Sequence, residues 1–173
     1  AASTRSRTDS SITATPVLCG ARFGPRCGPV GKDHAIWLTA TGVLIVSAVM
    51  LDTGLEATVE LVVGDGDTAQ AMGSGDVAVL ATPRMIALCE QATMSALNGH
   101  VDDGFTTVGL SVQVDHLRPT AVGGKIWAEA HLDKVEGRRL CFSVAAKDER
   151  GLIGAGRVTR VVVEVEHFME KTR

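Results

Sequence analysis

Only one stretch of this chain has the pattern of a long helix, and that limits the folds open to it. Residues 77–98 read VAVLATPRMIALCEQATMSALN. Thr82 followed by Pro83 predicts the start, with Thr82 as N-cap and proline at the first helical position. Met85, Leu88, Cys89, Ala92 and Ala96 then recur at helical spacing. Ile86, Thr93 and Leu97 extend this stripe to a second side, so the helix should be buried around most of its circumference. Gly99 after Asn98 predicts its end.

The rest of the regular sequence reads as strands. Residues 54–63 form one before the helix, and GDGDTAQAMGSGD at 64–76 is a turn-rich loop. After the helix, 104–117 alternate with Val108, Leu110, Val112 and Val114 on one face, and Arg118-Pro119 ends the run. Residues 124–134, 140–147 and 152–166 follow, joined by VEGRR at 135–139 and DERG at 148–151. One helix against an antiparallel sheet is an α+β arrangement. A single helix cannot shelter a whole sheet or close its edges, so a partner subunit is expected and the chain should be a homodimer.

The first fifty residues are different material. Residues 1–32 carry five basic side chains and one acidic, whereas the remainder carries 12 and 19. Residues 1–34 lack apolar periodicity and read as loop or disorder. Residues 35–51 are the most hydrophobic run, a packed strand segment or a membrane-directed or expression-derived extension. The run is too short and too interrupted by Thr39, Thr41 and Ser47 for stable membrane insertion. We therefore divide the chain into an extension, 1–50, and a folded domain, 51–173. With no basic field overall, no Tyr and four Phe, nucleic acid is not an expected partner. Cys19, Cys27, Cys89 and Cys141 match no zinc spacing; Cys89 and Cys141 read as buried free thiols in a reducing, cytoplasmic setting. The five histidines have no metal-ligand spacing either.

Several residues stand out chemically. Glu90 lies in the middle of IALCEQATMSAL, where a carboxylate facing inward needs partners and one facing outward needs none. His116 shares the parity of the apolar face of its strand and is suited to proton transfer, or to a structural hydrogen bond. Thr82 is explained by capping, yet it also sits at a positive helix end. Gly109 interrupts a strand of side chains, which marks either a bulge or the close approach of a ligand to backbone. No GxSxG elbow, phosphate loop or dinucleotide fingerprint is present.

TPRMIALCEQATMSAL, TTVGLSVQVDHLRPTAVGG and VEGRRLCFSVAAKDERGLIGAGRVTR together resemble the fluoroacetyl-CoA thioesterase family and its hotdog-fold relatives. The resemblance runs from Leu51 to Met169. It implies a dimer in which a curved antiparallel sheet wraps each long helix, with active sites at the subunit interface. It also implies that Thr82, Glu90 and His116 are catalytic and that Gly109 lies beside the acyl thioester. Glu90 then either attacks the carbonyl or activates water, and Thr82 hydrogen-bonds within the group or is itself the attacking hydroxyl. The expected reaction is hydrolysis of a small acyl-CoA or related thioester. Coenzyme A is part of the substrate, and no further cofactor or metal is expected. The alternative is a non-catalytic acyl-CoA binding or sensing protein on the same fold; a hydratase-like hotdog enzyme ranks below both. For the phosphates of CoA, Arg84, Arg118, Lys125, Arg138 and Arg139 are candidates. One feature departs from the family: the segment before the helix, GDGDTAQAMGSGDVAVLA, has none of the phenylalanines of the fluoroacetyl-specific lid. That substrate is therefore not expected.

Overall fold

A computed structural model describes residues 51–173 and, before them, two short paired strands, β1 (Ile36–Leu38) and β2 (Leu44–Val46). The expectations for 1–34, with Cys19 and Cys27, lie outside the described residues. Within 35–51 the chain forms this two-stranded antiparallel pair.

The domain is one helix on one sheet. Strand β3 (Glu56–Val62) leads through a turn-rich segment to helix α1 (Thr82–Ala96). Strands β4 (Phe105–His116), β5 (Lys125–Glu136), β6 (Arg139–Asp148) and β7 (Gly151–Glu164) follow. All pairings are antiparallel, in the order β3-β5-β6-β7-β4, so β3 and β4 are the sheet's edges.

Alternation along the central strands builds the floor on which α1 lies. Ile126, Ala128, Ala130 and Leu132 on β5 and Leu140, Phe142, Val144 and Ala146 on β6 are all buried. Met85, Leu88, Cys89, Ala92 and Ala96, the predicted stripe, are buried against them. Gly154 on β7 lets the helix come close: a Cβ there would lie 2.7 Å from Met85 Sδ.

The structure departs from the expected pattern at three places. The helix begins at Thr82 with Ala81 as its N-cap, and no side chain caps it. Val79 and Leu80 before it are extended, bridged to Ala121 and Thr68. The last strand stops at Glu164, and Val165–Glu170 forms a short helix, α2. The alternation of VVVEVE continues, but Glu164 pairs with Phe105, the first residue of β4, so the ladder has no partner beyond it. Finally, β4 carries a bulge. Gly109 pairs with Arg160 and Ser111 with Thr159, leaving Leu110 as the extra residue. The bulge switches the inward parity. Thr107 and Gly109 face the helix before it and Val112, Val114 and His116 after it, while Leu110 is 55% exposed. Val108, Leu110, Val112 and Val114 therefore do not share one face.

Candidate active site

Because Thr82 is the first helical residue and not the cap, its hydroxyl is free of the helix amides. It meets His116 at the end of β4, with Thr82 Oγ1 2.9 Å from His116 Nδ1. The post-bulge parity turns the imidazole toward α1. Burial lowers the ring's pKa below its ordinary 6.5, partly opposed by the Arg118 backbone, which favours the charged form. The ring is therefore mostly neutral at pH 7, as a proton acceptor from a hydroxyl must be. Its Nε2 is buried without a hydrogen-bond partner among the described residues.

Glu90 is elsewhere. It lies eight residues beyond Thr82 on α1, roughly 12 Å along the helix axis. Its carboxylate rests against Gly109, where a Cβ would stand 2.6 Å from Glu90 Oε1. The bulge reading of Gly109 holds, and the neighbour that its missing side chain admits is Glu90. Within one chain the structure thus brings Thr82 to His116 and Glu90 to Gly109, as two separate groups.

Sequence reasoning passed over the group that holds Glu90. Arg160 on β7 is 6% exposed. Its Nη1 lies 3.5 Å from Glu90 Oε1, Nε donates to Thr107 Oγ1 at 2.9 Å and Nη2 to the Thr107 carbonyl at 2.8 Å. Burial lowers its pKa, and the charge of Glu90 works against that shift. The signal was available: Arg160 has the parity of Val158 and Val162, both buried, so an arginine occupies a core position of an alternating strand.

The cationic candidates divide by what they already bind. Arg84 Nε is paired with Asp67 at 2.6 Å and Arg118 Nη2 with Asp148 at 2.9 Å, so both fasten the chain internally. Lys125 pairs with Glu60 at 2.8 Å on the surface. Arg138 and Arg139 are exposed at the β5–β6 turn. Arg139 pairs with Val161, which pairs with Val108, placing this turn at the Gly109 end of the sheet. A cavity of about 340 Å³ opens at the other end, lined by Pro119, Thr120, Lys125, Asp148 and Arg150 among others. Cys89 is buried and its thiol is pushed up to about 11, by burial first and the charge of Glu90 second, so it is not a nucleophile. No cluster of metal ligands occurs among the described residues, and no described helix is long and apolar enough to cross a membrane.

Residues 63–166 match the family model of the fluoroacetyl-CoA-specific thioesterase. The chain belongs to that family. The fluoroacetyl-CoA thioesterase of Streptantibioticus cattleyicolor is 36% identical over 95 residues, 55% of this chain and 68% of that protein. A solved fluoroacetyl-CoA thioesterase structure superposes with a TM-score of 0.68 at 30% identity, covering 71% of this chain and 96% of the other. A thioesterase-superfamily member from Thermus thermophilus gives 0.64 at 30% identity, over 70% and 92%. The fold is therefore a hotdog, as the resemblance implied, and the protein is a thioester hydrolase. In this family coenzyme A enters as part of the substrate and leaves as the free thiol.

Proposed function

We propose that the protein hydrolyses small acyl-CoA thioesters as a homodimer, with each active site shared between two chains. One chain supplies Thr82 and His116; the other supplies Glu90, Gly109 and Arg160. The observation that carries this reading is the 2.9 Å contact between Thr82 and His116, made at a distance from Glu90. The edge strand β4 offers a way to reunite them. A two-fold axis through Gln113 pairs Val112 with the partner's Val114, inner face to inner face. It also sets the Gly109–Leu110 bulge beside the partner's His116. Leu110 and Met94, 55% and 42% exposed in the single chain, supply apolar surface for such an interface.

In this arrangement His116 Nδ1 takes the proton from Thr82 as Oγ1 attacks the thioester carbonyl. The tetrahedral intermediate expels the CoA thiolate, which takes the proton from the imidazolium. Water then attacks the acyl-threonine carbonyl, giving one proton to Glu90; the acyl–Oγ1 bond breaks, Thr82 Oγ1 takes that proton back from Glu90, and the free acid leaves. An amide near the Gly109 bulge and the Arg160 guanidinium stabilise negative charge on the oxygen. Without the phenylalanine-bearing lid, selectivity falls on small acyl groups in general and not on the fluoroacetyl group. A cytoplasmic setting suits the free thiols Cys89 and Cys141.

The test is thiol release from a panel of acyl-CoA esters, with Thr82→Val and His116→Ala beside the wild type. Turnover on short acyl-CoA esters, lost in both variants, is expected. Tight binding of the esters without thiol release would instead make this a binding protein.

A further inference from the structure

A buried carboxylate stands behind the Thr82–His116 pair and has no part in the chemistry above. Asp148 closes β6 and is 6% exposed. Arg118 Nη2 donates to its Oδ1 at 2.9 Å and the Arg150 amide to the same oxygen at 2.8 Å. Thr120 Oγ1 and Arg150 Nη2 donate to Oδ2 at 3.3 and 3.1 Å. Burial works to raise its pKa, but the Arg150 amide, the Arg150 guanidinium and Arg118 outweigh it and hold Asp148 ionised.

Two of these partners lie outside the β6–β7 hairpin, whose turn needs only the Arg150 contacts. Arg118 and Thr120 belong to the segment that leaves His116. Its other bonds lead to both members of the pair. Leu117 N donates to Ile153 O at 2.7 Å, and Arg150 Nη2 to Pro119 O at 2.8 Å. Leu80 N, two residues before Thr82, donates to Thr120 O at 2.8 Å, and Val79 bridges to Ala121. One carboxylate therefore fastens the chain just after the imidazole and, through Thr120, the chain just before the hydroxyl.

We propose that Asp148 is a positioning residue, whose clamp on Arg118 and Thr120 sets the contact between His116 and Thr82. The proposal rests on the reading of that pair as catalytic, and its clearest readout needs no turnover. The charged side chains on the elements framing the ring are Arg84 on α1, Asp115 on β4, and Arg118, Asp148 and Arg150 in the clamp; β7 opposite presents Gly154. Through space, losing the negative charge of Asp148 lowers the pKa of His116, and losing the positive charge of Arg118 raises it. A loosened segment instead opens the ring to water, relieving the burial that is the larger cause of its lowered pKa, and raises the pKa in both variants.

The experiment follows the His116 imidazole by NMR titration, assigned by its loss in His116→Gln, in wild type, Asp148→Asn and Arg118→Met. Turnover on the best acyl-CoA is measured in parallel, well below each melting temperature. An upward shift of His116 in both variants is expected, with kcat reduced about 10- to 100-fold and KM nearly unchanged, as for small misplacements of catalytic groups. Thr120→Val, which removes one bond and keeps the backbone contact to Leu80, is expected to show the same changes in smaller degree and serves if Asp148→Asn does not fold. Phe142→Leu, a core change of comparable destabilisation, is expected to keep kcat. A downward shift in Asp148→Asn, or wild-type kcat in that variant, overturns the proposal. If the wild type releases no thiol from any ester, the functional reading fails, and the titration alone then decides the role of Asp148.

Discussion

The carboxylate of Glu90 occupies the space that a side chain on Gly109 would fill, with 2.6 Å between Glu90 Oε1 and an ideal Cβ there. Gly109→Ala therefore forces the carboxylate off its strand or moves the bulge. Activity is expected to fall at least about 10-fold, in line with the cost of misplacing a catalytic group. Stability should change little, because the Glu90 side chain is partly exposed and can move. Turnover and melting temperature measured on the same preparation check both halves; unaltered kcat would show that the contact does not matter.

Arg160 is bound to Glu90 and to both oxygens of Thr107. Arg160→Met keeps the apolar stem and removes the donors. The buried Thr107 carbonyl then loses the Arg160 donor and the hydroxyl keeps only its weak bond to Met94 Sδ, at a cost of about 1–3 kcal/mol. The Glu90 contact adds little to that figure because Glu90 is 36% exposed and the pair is 3.5 Å apart. Denaturant unfolding is expected to show this loss, and turnover to fall by more than stability explains. Recovery of turnover at low temperature, where the variant is fully folded, would make Arg160 purely structural.

His116 must be neutral to accept a proton from Thr82. Its pKa lies below the ordinary 6.5, first because the ring is partly buried. Activity is therefore expected to be present above that lowered pKa and lost as pH falls through it, so the acid limb of kcat/KM should have its midpoint below 6.5. A midpoint above that value contradicts a buried, neutral base.

The helix and its buried stripe were legible because a 3.6-residue period in Met85, Leu88, Cys89, Ala92 and Ala96 has only one reading. The role of Thr82 was less so. A threonine before proline looks the same whether it caps the helix or begins it, and only the position of His116 shows where its hydroxyl goes. Gly109 marked a place where a bulge could fall, but the alternation runs on unbroken past it, so the pattern alone did not show that Leu110 is the extra residue or that the facing side chains reverse there. VVVEVE kept its strand pattern past Glu164 because pairing, a property of the neighbour, decides where a strand stops. Arg160 was visible as an arginine at a core parity, but its partner Glu90 lies 70 residues away in sequence, and only the fold joins them. The family motifs placed Thr82, Glu90 and His116 in one site; the single chain separates them.

That separation makes subunit complementation the most direct test of the shared site. Thr82→Ala and Glu90→Gln are purified as inactive homodimers, dissociated, mixed in equal amounts and reassembled. If each site draws Thr82 from one chain and Glu90 from the other, a mixed dimer has one site with both defects and one with neither. Random reassembly then restores roughly a quarter of wild-type activity, since about half the dimers are mixed and each has one good site of two. If Thr82 and Glu90 of the same chain served one site, every site in the mixture would carry one defect. The account predicts recovery near a quarter; a mixture as inactive as its parents, with mixed dimers shown by mass spectrometry to have formed, would contradict it.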